Sequence, residues 1–229
     1  PSRVRSKTGA TYFAPPSEKE FIMDQIIPAF CKPIAYTQYN LPDEIYANLD
    51  IAFSKSKMNY IKPSADKSDV RGQSYNMHVL NEPVLKNLKT FLYDVVKIYW
   101  EKDLEYDCDF RITTSWFTKN SNNSKVDWHC HTNSFLSGVF YFGDYFSDIM
   151  FRNFDFNHYD FGRKRSNVFN GNEWVIKPQK GLLILFPSQV YHAFLPAEKE
   201  RKSMAFNIIP VGEYGYNDSK VHIIDGYSQ

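Results

Sequence analysis

Ser124-Lys125-Val126-Asp127-Trp128-His129-Cys130-His131-Thr132-Asn133-Ser134-Phe135-Leu136-Ser137-Gly138-Val139-Phe140-Tyr141-Phe142 reads as two strands, Ser124 to His131 and Phe135 to Phe142, parted by a polar break. Neighbouring side chains of a strand point to opposite faces. The imidazoles of His129 and His131 are therefore aimed to one side, and Cys130 is expected on the other as a small buried hydrophobe. The same period of two continues outward through Phe110 to Phe117, Ser147 to Arg152, Glu173 to Ile176, Gly181 to Phe186, Ala193 to Leu195 and Arg201 to Pro210. About eight short strands in one block predict a mainly β protein built on a jelly roll, or double-stranded β-helix, of the cupin-like kind.

The rest of the chain supplies flanking helices. Glu82 to Lys102 carries apolar residues at Val84, Leu85, Leu88, Phe91, Leu92, Val95 and Ile98, a helical period that predicts the main helix, packed on a sheet. Leu41-Pro42-Asp43 opens a second helix through about Ser54, and Ser17 caps a third over Glu18 to Phe30. Ile34 to Gln38 is a short strand. Residues 55–75, rich in Ser, Lys, Asp, Pro and Gly, read as an exposed loop, and the basic start through Phe13 is expected to fray. The expected organisation is one domain over residues 1–229, with a helical buttress and strand in 1–105, the jelly-roll core in 106–212 and a tail in 213–229.

Formal charge is +1, from 27 Lys and Arg against 26 Asp and Glu. The two signs are interspersed, so there is no footprint for nucleic acid or an acidic membrane. A small molecule or a peptide suits such a surface better than a polyanion. Cys31, Cys108 and Cys130 are odd in number and lack a CxxC spacing, which points to a reducing, cytoplasmic setting rather than a disulfide framework. No apolar run reaches bilayer length and no signal-peptide core is visible. Oligomeric state is not legible.

Chemistry concentrates at His129, His131 and His192, with Arg201 and Ser203 following. Neutral imidazole suits iron, zinc, copper and nickel alike. Three ligands on one side of a metal leave its other side open. Arg201 and Ser203 are two apart on a strand and share a face, so a guanidinium fork and a hydroxyl can hold one carboxylate together. Tyr141, in step with Ser137 and Val139, is expected to face the barrel interior and to touch whatever Arg201 holds.

The ordered set His129-x-His131, Leu136-Ser137-Gly138-Val139-Phe140-Tyr141, Pro178-Gln179-Lys180-Gly181-Leu182-Leu183-Ile184-Leu185-Phe186-Pro187-Ser188, His192 and Arg201-Lys202-Ser203 resembles the 2-oxoglutarate and Fe(II)-dependent oxygenase superfamily. More narrowly it is similar to a family of 2-oxoglutarate oxygenases of marine bacteria and their phages, over roughly Phe110 to Pro210. The resemblance implies Fe(II) and 2-oxoglutarate as cofactors and molecular oxygen as co-substrate. It also implies decarboxylation to succinate and CO2 coupled to attack on a C–H bond of an amino acid, a peptidyl side chain or another small metabolite. Hydroxylation is the default outcome. His129 and His192 match the family's histidine ligands, and Arg201 and Ser203 match its co-substrate anchor. The wider superfamily has Asp or Glu where His131 stands. Three readings follow: a three-histidine site, a His131 that supports the ligands from behind or faces substrate with water in its place, or a carboxylate such as Asp127 or Asp155 instead. Two other classes fit the same residues. One is a cupin-type three-histidine metalloenzyme that does not use 2-oxoglutarate, against which the lack of a Glu soon after His131 counts. The other is an inactive jelly-roll binding protein. Residues 153–172 read as a lid or binding loop.

Overall fold

The structure is a computed structural model that describes residues 3–5, 11–13, 31–61, 71–120, 124–154, 162, 164–196 and 199–224. The chain divides into two compact units, Pro1–Cys31 and Lys32–Gln229. In the first, β1 (Arg3–Arg5) pairs antiparallel with β2 (Thr11–Phe13), where fraying is expected from composition. The helix expected over Glu18 to Phe30 lies outside the described residues.

The second unit begins with β3 (Ala35–Gln38), α1 (Asp43–Lys55), β4 (Met58–Ile61) and β5 (Arg71–Ser74). Asp43 and Glu44 sit in the first turn of α1 and Lys55 in its last, each sign at the end of the helix dipole that favours it. The main helix α2 runs over Lys86–Ile98 and starts later than its apolar period suggests. Glu82 precedes a proline and is extended, with φ −63° and ψ 128°, and Pro83 then opens a 3-10 turn. A residue before proline is pushed out of the α region by the ring, so the α-helix proper waits for the next turn. The helix closes in a wider π turn over Tyr99–Asp103, where the Trp100 indole donates to the Cys108 carbonyl at 2.6 Å.

Eight strands then follow: β6 (Asp109–Asn120), β7 (Val126–His129), β8 (Leu136–Tyr141), β9 (Ile149–Arg152), β10 (Glu173–Ile176), β11 (Leu182–Pro187), β12 (Tyr191–Phe194) and β13 (Arg201–Tyr214), with β14 (Val221–Ile223) paired on the end of β13. The smaller sheet has the order β10-β9-β12-β7, and the larger runs β3-β11-β8-β13-β6-β5-β4. Strands β6 to β13 are thus wound between the two sheets. β6, β8, β11 and β13 are neighbours in one, and β7, β9, β10 and β12 in the other, which is the jelly roll expected from the sequence. The short strands β4 and β5 occupy a stretch that composition presents as a loop. They hold because β5 continues the ladder of β6, with Arg71 opposite Asn120 and Gln73 opposite Thr118.

Two cores flank the larger sheet. On its outer face Leu49, Phe53, Leu88, Leu92, Val96 and Trp100 of the helical layer pack on Phe117, Phe140, Leu183, Leu185, Met204 and Phe206. On its inner face Val139, Tyr141, Leu182, Ile184 and Phe186 meet Ile149 and Phe151 of the smaller sheet. Strands β8 and β11 are buried on both faces, and that is why β11 reads as an unbroken apolar run rather than a clean alternation. Gly138 sits in β8 where a methyl group would lie 2.2 Å from the Phe206 ring. Gly138→Ala is therefore expected to destabilise the fold by about 1–3 kcal/mol through overpacking, measured as a lower midpoint in urea with an unchanged slope.

The sheet register fixes the site. Directly paired residues share a face, so the inner face of the larger sheet is a series of rungs roughly 7 Å apart. In order along β13 they are Thr114, Asn207 and Ser137; Trp116, Ala205 and Val139; Gln73, Thr118, Ser203 and Tyr141; and Arg71, Asn120 and Arg201.

Candidate metal centre and anion clamp

His129 ends β7 and stands directly opposite His192 on β12. His131 lies past the end of β7, in the turn before β8. Its amide donates to the Ser188 carbonyl at 2.9 Å, and Asn133 then turns the chain at φ 54°, a left-handed conformation that Asn tolerates. The expected strand through His131 thus ends two residues earlier, at His129, and a pinned turn brings the second imidazole round instead. The three rings converge. Their centroids are 4.2 Å apart for His129 and His192, 5.1 Å for His131 and His192, and 5.6 Å for His129 and His131. One ring nitrogen from each lies within 4.8 Å of the others.

Each ring is held from behind through Nδ1. His129 Nδ1 meets the Asp127 carbonyl at 2.9 Å and His192 Nδ1 the Val190 carbonyl at 3.2 Å. His131 Nδ1 meets Asn207 Oδ1 at 2.7 Å and the Ser137 hydroxyl at 2.9 Å. A carbonyl oxygen only accepts, so Nδ1 of His129 and of His192 carries the proton and the Nε2 lone pair is left for a metal. Ser137 also bonds Ser188 at 2.8 Å, and Ser188 donates to Ser134 at 2.9 Å. This relay ties the His131 turn to β11 and β8. Burial, reinforced by the neighbouring histidines, brings His192 down to about 3. Burial also lowers His131, against the Asn207 hydrogen bond. Both rings are therefore neutral near pH 7, the form that coordinates without first losing a proton. Asn207→Ala is expected to free the His131 ring and weaken divalent-metal affinity by about 10- to 100-fold, with folding intact, as read by metal titration.

Arg201 opens β13 and is 1% exposed. Its Nη1 donates to Ser147 Oγ at 3.0 Å, and Asn120, with its amide oxygen turned toward it, accepts from Nη2 at 2.6 Å. The Phe194 ring lies 4.1 Å from the guanidinium carbon. Nε has no partner, and no carboxylate pairs with this cation among the described residues. Glu200, next to it in sequence, bonds Lys119 at 2.9 Å. Burial pulls Arg201 down to about 10, opposed by Tyr141, so it stays charged. A buried guanidinium with only neutral partners is costly unless an anion completes it. Ser203 is buried beside it, 2.7 Å from the Thr118 hydroxyl. Tyr141 is wholly buried opposite Ser203, its hydroxyl has no partner, and burial raises its pKa.

The histidines, Arg201 and Ser203 line one cavity of about 380 Å3, walled also by Val139, Ile149, Phe186, Phe194 and Ala205. Tyr141, the cross-strand neighbour of Ser203 on the same face, is not among the residues that line it. Cys130 does line it and is half-buried, because the chain leaves the strand at His129 and the alternation that would have turned the thiol away ends there. Asp127 is exposed and bonds Lys125 at 3.2 Å, while Asp155 lies outside the described residues. Among the described residues no carboxylate joins the histidine cluster. Asn207, Ser137, Asn120, Ser147 and Thr118 support the site without having been singled out by sequence. Asn207 carried a signal, since it falls on the Arg201 face when residues are counted by twos.

Residues 114–207, which hold all three histidines, Arg201 and Ser203, match the sequence model of a family described as "Putative 2OG-Fe(II) oxygenase". A search of curated proteins gives no match. Solved structures with the same fold include a Pseudomonas putida prolyl-4-hydroxylase, at 17% identity over 79% of this chain and 94% of that one with a TM-score of 0.54. They also include HygX from Streptomyces hygroscopicus with nickel and 2-oxoglutarate bound, at 10% identity over 78% and 83% with a TM-score of 0.53. A third is the α-ketoglutarate-dependent epimerase SnoN from nogalamycin biosynthesis, at 9% identity over 81% and 82% with a TM-score of 0.57.

Proposed function

We propose that this protein is an Fe(II)- and 2-oxoglutarate-dependent oxygenase that hydroxylates a small molecule or a peptidyl side chain. The observation that carries this reading is the pairing, in one cavity, of three converging imidazoles with a buried arginine that lacks a carboxylate partner among the described residues. A metal site alone does not call for such an arginine. A dicarboxylate that chelates a metal at one end and carries a free carboxylate at the other calls for both.

The residues present fit that pair. Nε2 of His129, His131 and His192 offers three neutral donors on one side of an ion, leaving the opposite side for co-substrate, oxygen and substrate. Iron and 2-oxoglutarate, when bound, supply oxidative power by consuming molecular oxygen and releasing succinate and CO2. Arg201 would hold the distal carboxylate through its fork, with the Ser203 and Thr118 hydroxyls beside it and Phe194 keeping water from the pair. Val139, Ile149, Phe186 and Ala205 give the cavity an apolar lining that keeps water from the reacting centre. Three histidines in place of two and a carboxylate leave the ion one negative charge short, and that shifts its potential and metal preference.

The three-histidine reading without 2-oxoglutarate leaves Arg201 without an anion. Among the described residues no helix is long and apolar enough to cross a membrane, and Cys31, Cys108 and Cys130 are all free. The test is aerobic incubation of the metal-stripped protein with 2-oxoglutarate, with and without Fe(II). Succinate formed only in the presence of iron is expected even without substrate, as slow uncoupled turnover. No succinate from protein shown to hold iron and 2-oxoglutarate would overturn the assignment.

A further inference from the structure

We propose that Arg71 and Gln73, on β5, form a second anion subsite in the same cavity, which takes the carboxylate of the primary substrate. The substrate is then a free carboxylic acid, such as an amino or hydroxy acid, rather than an internal peptidyl side chain. This rests on the function proposed above.

Arg71 belongs to the same rung as Arg201, with Asn120 between them. Two strand spacings place the two backbones about 10 Å apart on one face. Both arginines line the cavity. Asn120 is committed to Arg201 and to the Lys119 carbonyl, so it does not serve Arg71. The Arg71 Nε is buried without a partner, and no acidic residue pairs with its guanidinium among the described residues. Gln73, two residues on, shares its face and also lines the cavity, one rung nearer the histidines. Together they offer a planar cationic fork and a neutral amide donor, a match for one monoanionic carboxylate.

Charge balance points the same way. A divalent metal and the 2-oxoglutarate dianion cancel each other. Two guanidinium charges then remain, and no Asp or Glu stands among the described lining residues. One 2-oxoglutarate carboxylate occupies the Arg201 fork and the other is on the metal, so the co-substrate has none left for Arg71. Two cations in one apolar cavity repel unless each meets an anion. A substrate carboxylate on Arg71 removes that repulsion and leaves the rest of the molecule to extend past Gln73 and along Trp116 toward the histidine cluster. Trp116 is on the rung next to that of Gln73, its ring 5.6 Å from that of His131.

The test is calorimetric titration of the Zn(II)-loaded, 2-oxoglutarate-saturated protein with L-amino acids and short 2-hydroxy acids, each paired with its carboxamide. Some acids are expected to bind about 30-fold tighter than their amides, the worth of one charge-assisted fork. Arg71→Gln is expected to erase that preference and Arg71→Lys to retain part of it, both melting as the parent does and both holding 2-oxoglutarate within about fivefold. The subsite is overturned if no acid is preferred, or if the preference survives Arg71→Gln. A loss of 2-oxoglutarate affinity beyond that limit in Arg71→Gln also overturns it and gives Arg71 to the co-substrate. If the parent protein binds no 2-oxoglutarate, the function proposed above fails. The acid preference and its dependence on Arg71, measured with Zn(II) alone, still decide the subsite.

Discussion

Arg201→Met is expected to weaken 2-oxoglutarate binding by about 100-fold or more, the scale of breaking a buried, hydrogen-bonded charge pair, while divalent-metal affinity stays within about threefold of the parent. The two sites separate because Arg201 bonds Ser147 and Asn120 and lies over Phe194, whereas the histidine rings are held by Asp127, Val190, Asn207 and Ser137. The same variant carries a second and less intuitive expectation. Without ligand, Arg201 is a buried cation that among the described residues is held by neutral groups, Ser147, Asn120 and the Phe194 ring, so replacing it by an apolar side chain of similar length removes a desolvation cost and leaves no charge unpaired. Arg201→Met is therefore expected to melt at the parent temperature or above it in the absence of 2-oxoglutarate. The parent alone should gain stability as 2-oxoglutarate is added to the metal-loaded protein. A structural arginine behaves the other way, losing stability on replacement whether or not ligand is present. Thermal melts of both proteins with and without 2-oxoglutarate decide between these outcomes.

His192→Ala is expected to lower metal affinity by more than about 100-fold, beyond the 10- to 100-fold of an outer hydrogen-bond partner such as Asn207, and with it to abolish succinate formation. His192 is the most buried of the cluster at 2% exposed. It is in ring contact with Phe151, Phe186 and Phe194 as well as with the other two histidines. Truncation also leaves a cavity among those aromatics, so the fold should lose some stability. His192→Gln keeps much of the volume and lacks the imidazole. It should fold more like the parent and still fail to bind metal tightly, which distinguishes a lost ligand from a damaged core. Retention of parent-like metal affinity in both variants would remove His192 from the metal site.

The fold was legible wherever burial imposed a period. β11 announces itself as a continuous apolar run because helices cover one face and the second sheet the other. Strand β5, Arg-Gly-Gln-Ser, has no apolar residue and exists through its ladder to β6, so nothing in its composition separates it from a loop. The His129-x-His131 pattern pointed to convergence of the rings, yet the route differs. A strand period accounts for His129, whereas a turn pinned by Ser188 and by the Ser137–Asn207 pair carries His131. Such a turn depends on residues about sixty and eighty positions away along the chain, and no local pattern encodes it. Arg201 and Ser203 were visible as a pair on one face. That Arg201 lacks an acidic partner among the described residues is a fact of three dimensions, because Glu200 beside it in sequence turns to Lys119.

The account stands on one cavity holding both a metal and 2-oxoglutarate, and anaerobic titration of the metal-stripped protein with Fe(II) and 2-oxoglutarate tests it directly. A visible charge-transfer band that requires both additions, is absent in His192→Ala and is much weakened in Arg201→Met at the same concentrations is the predicted result. Iron binding that depends on His129, His131 and His192 but gives no band at saturating 2-oxoglutarate would contradict it.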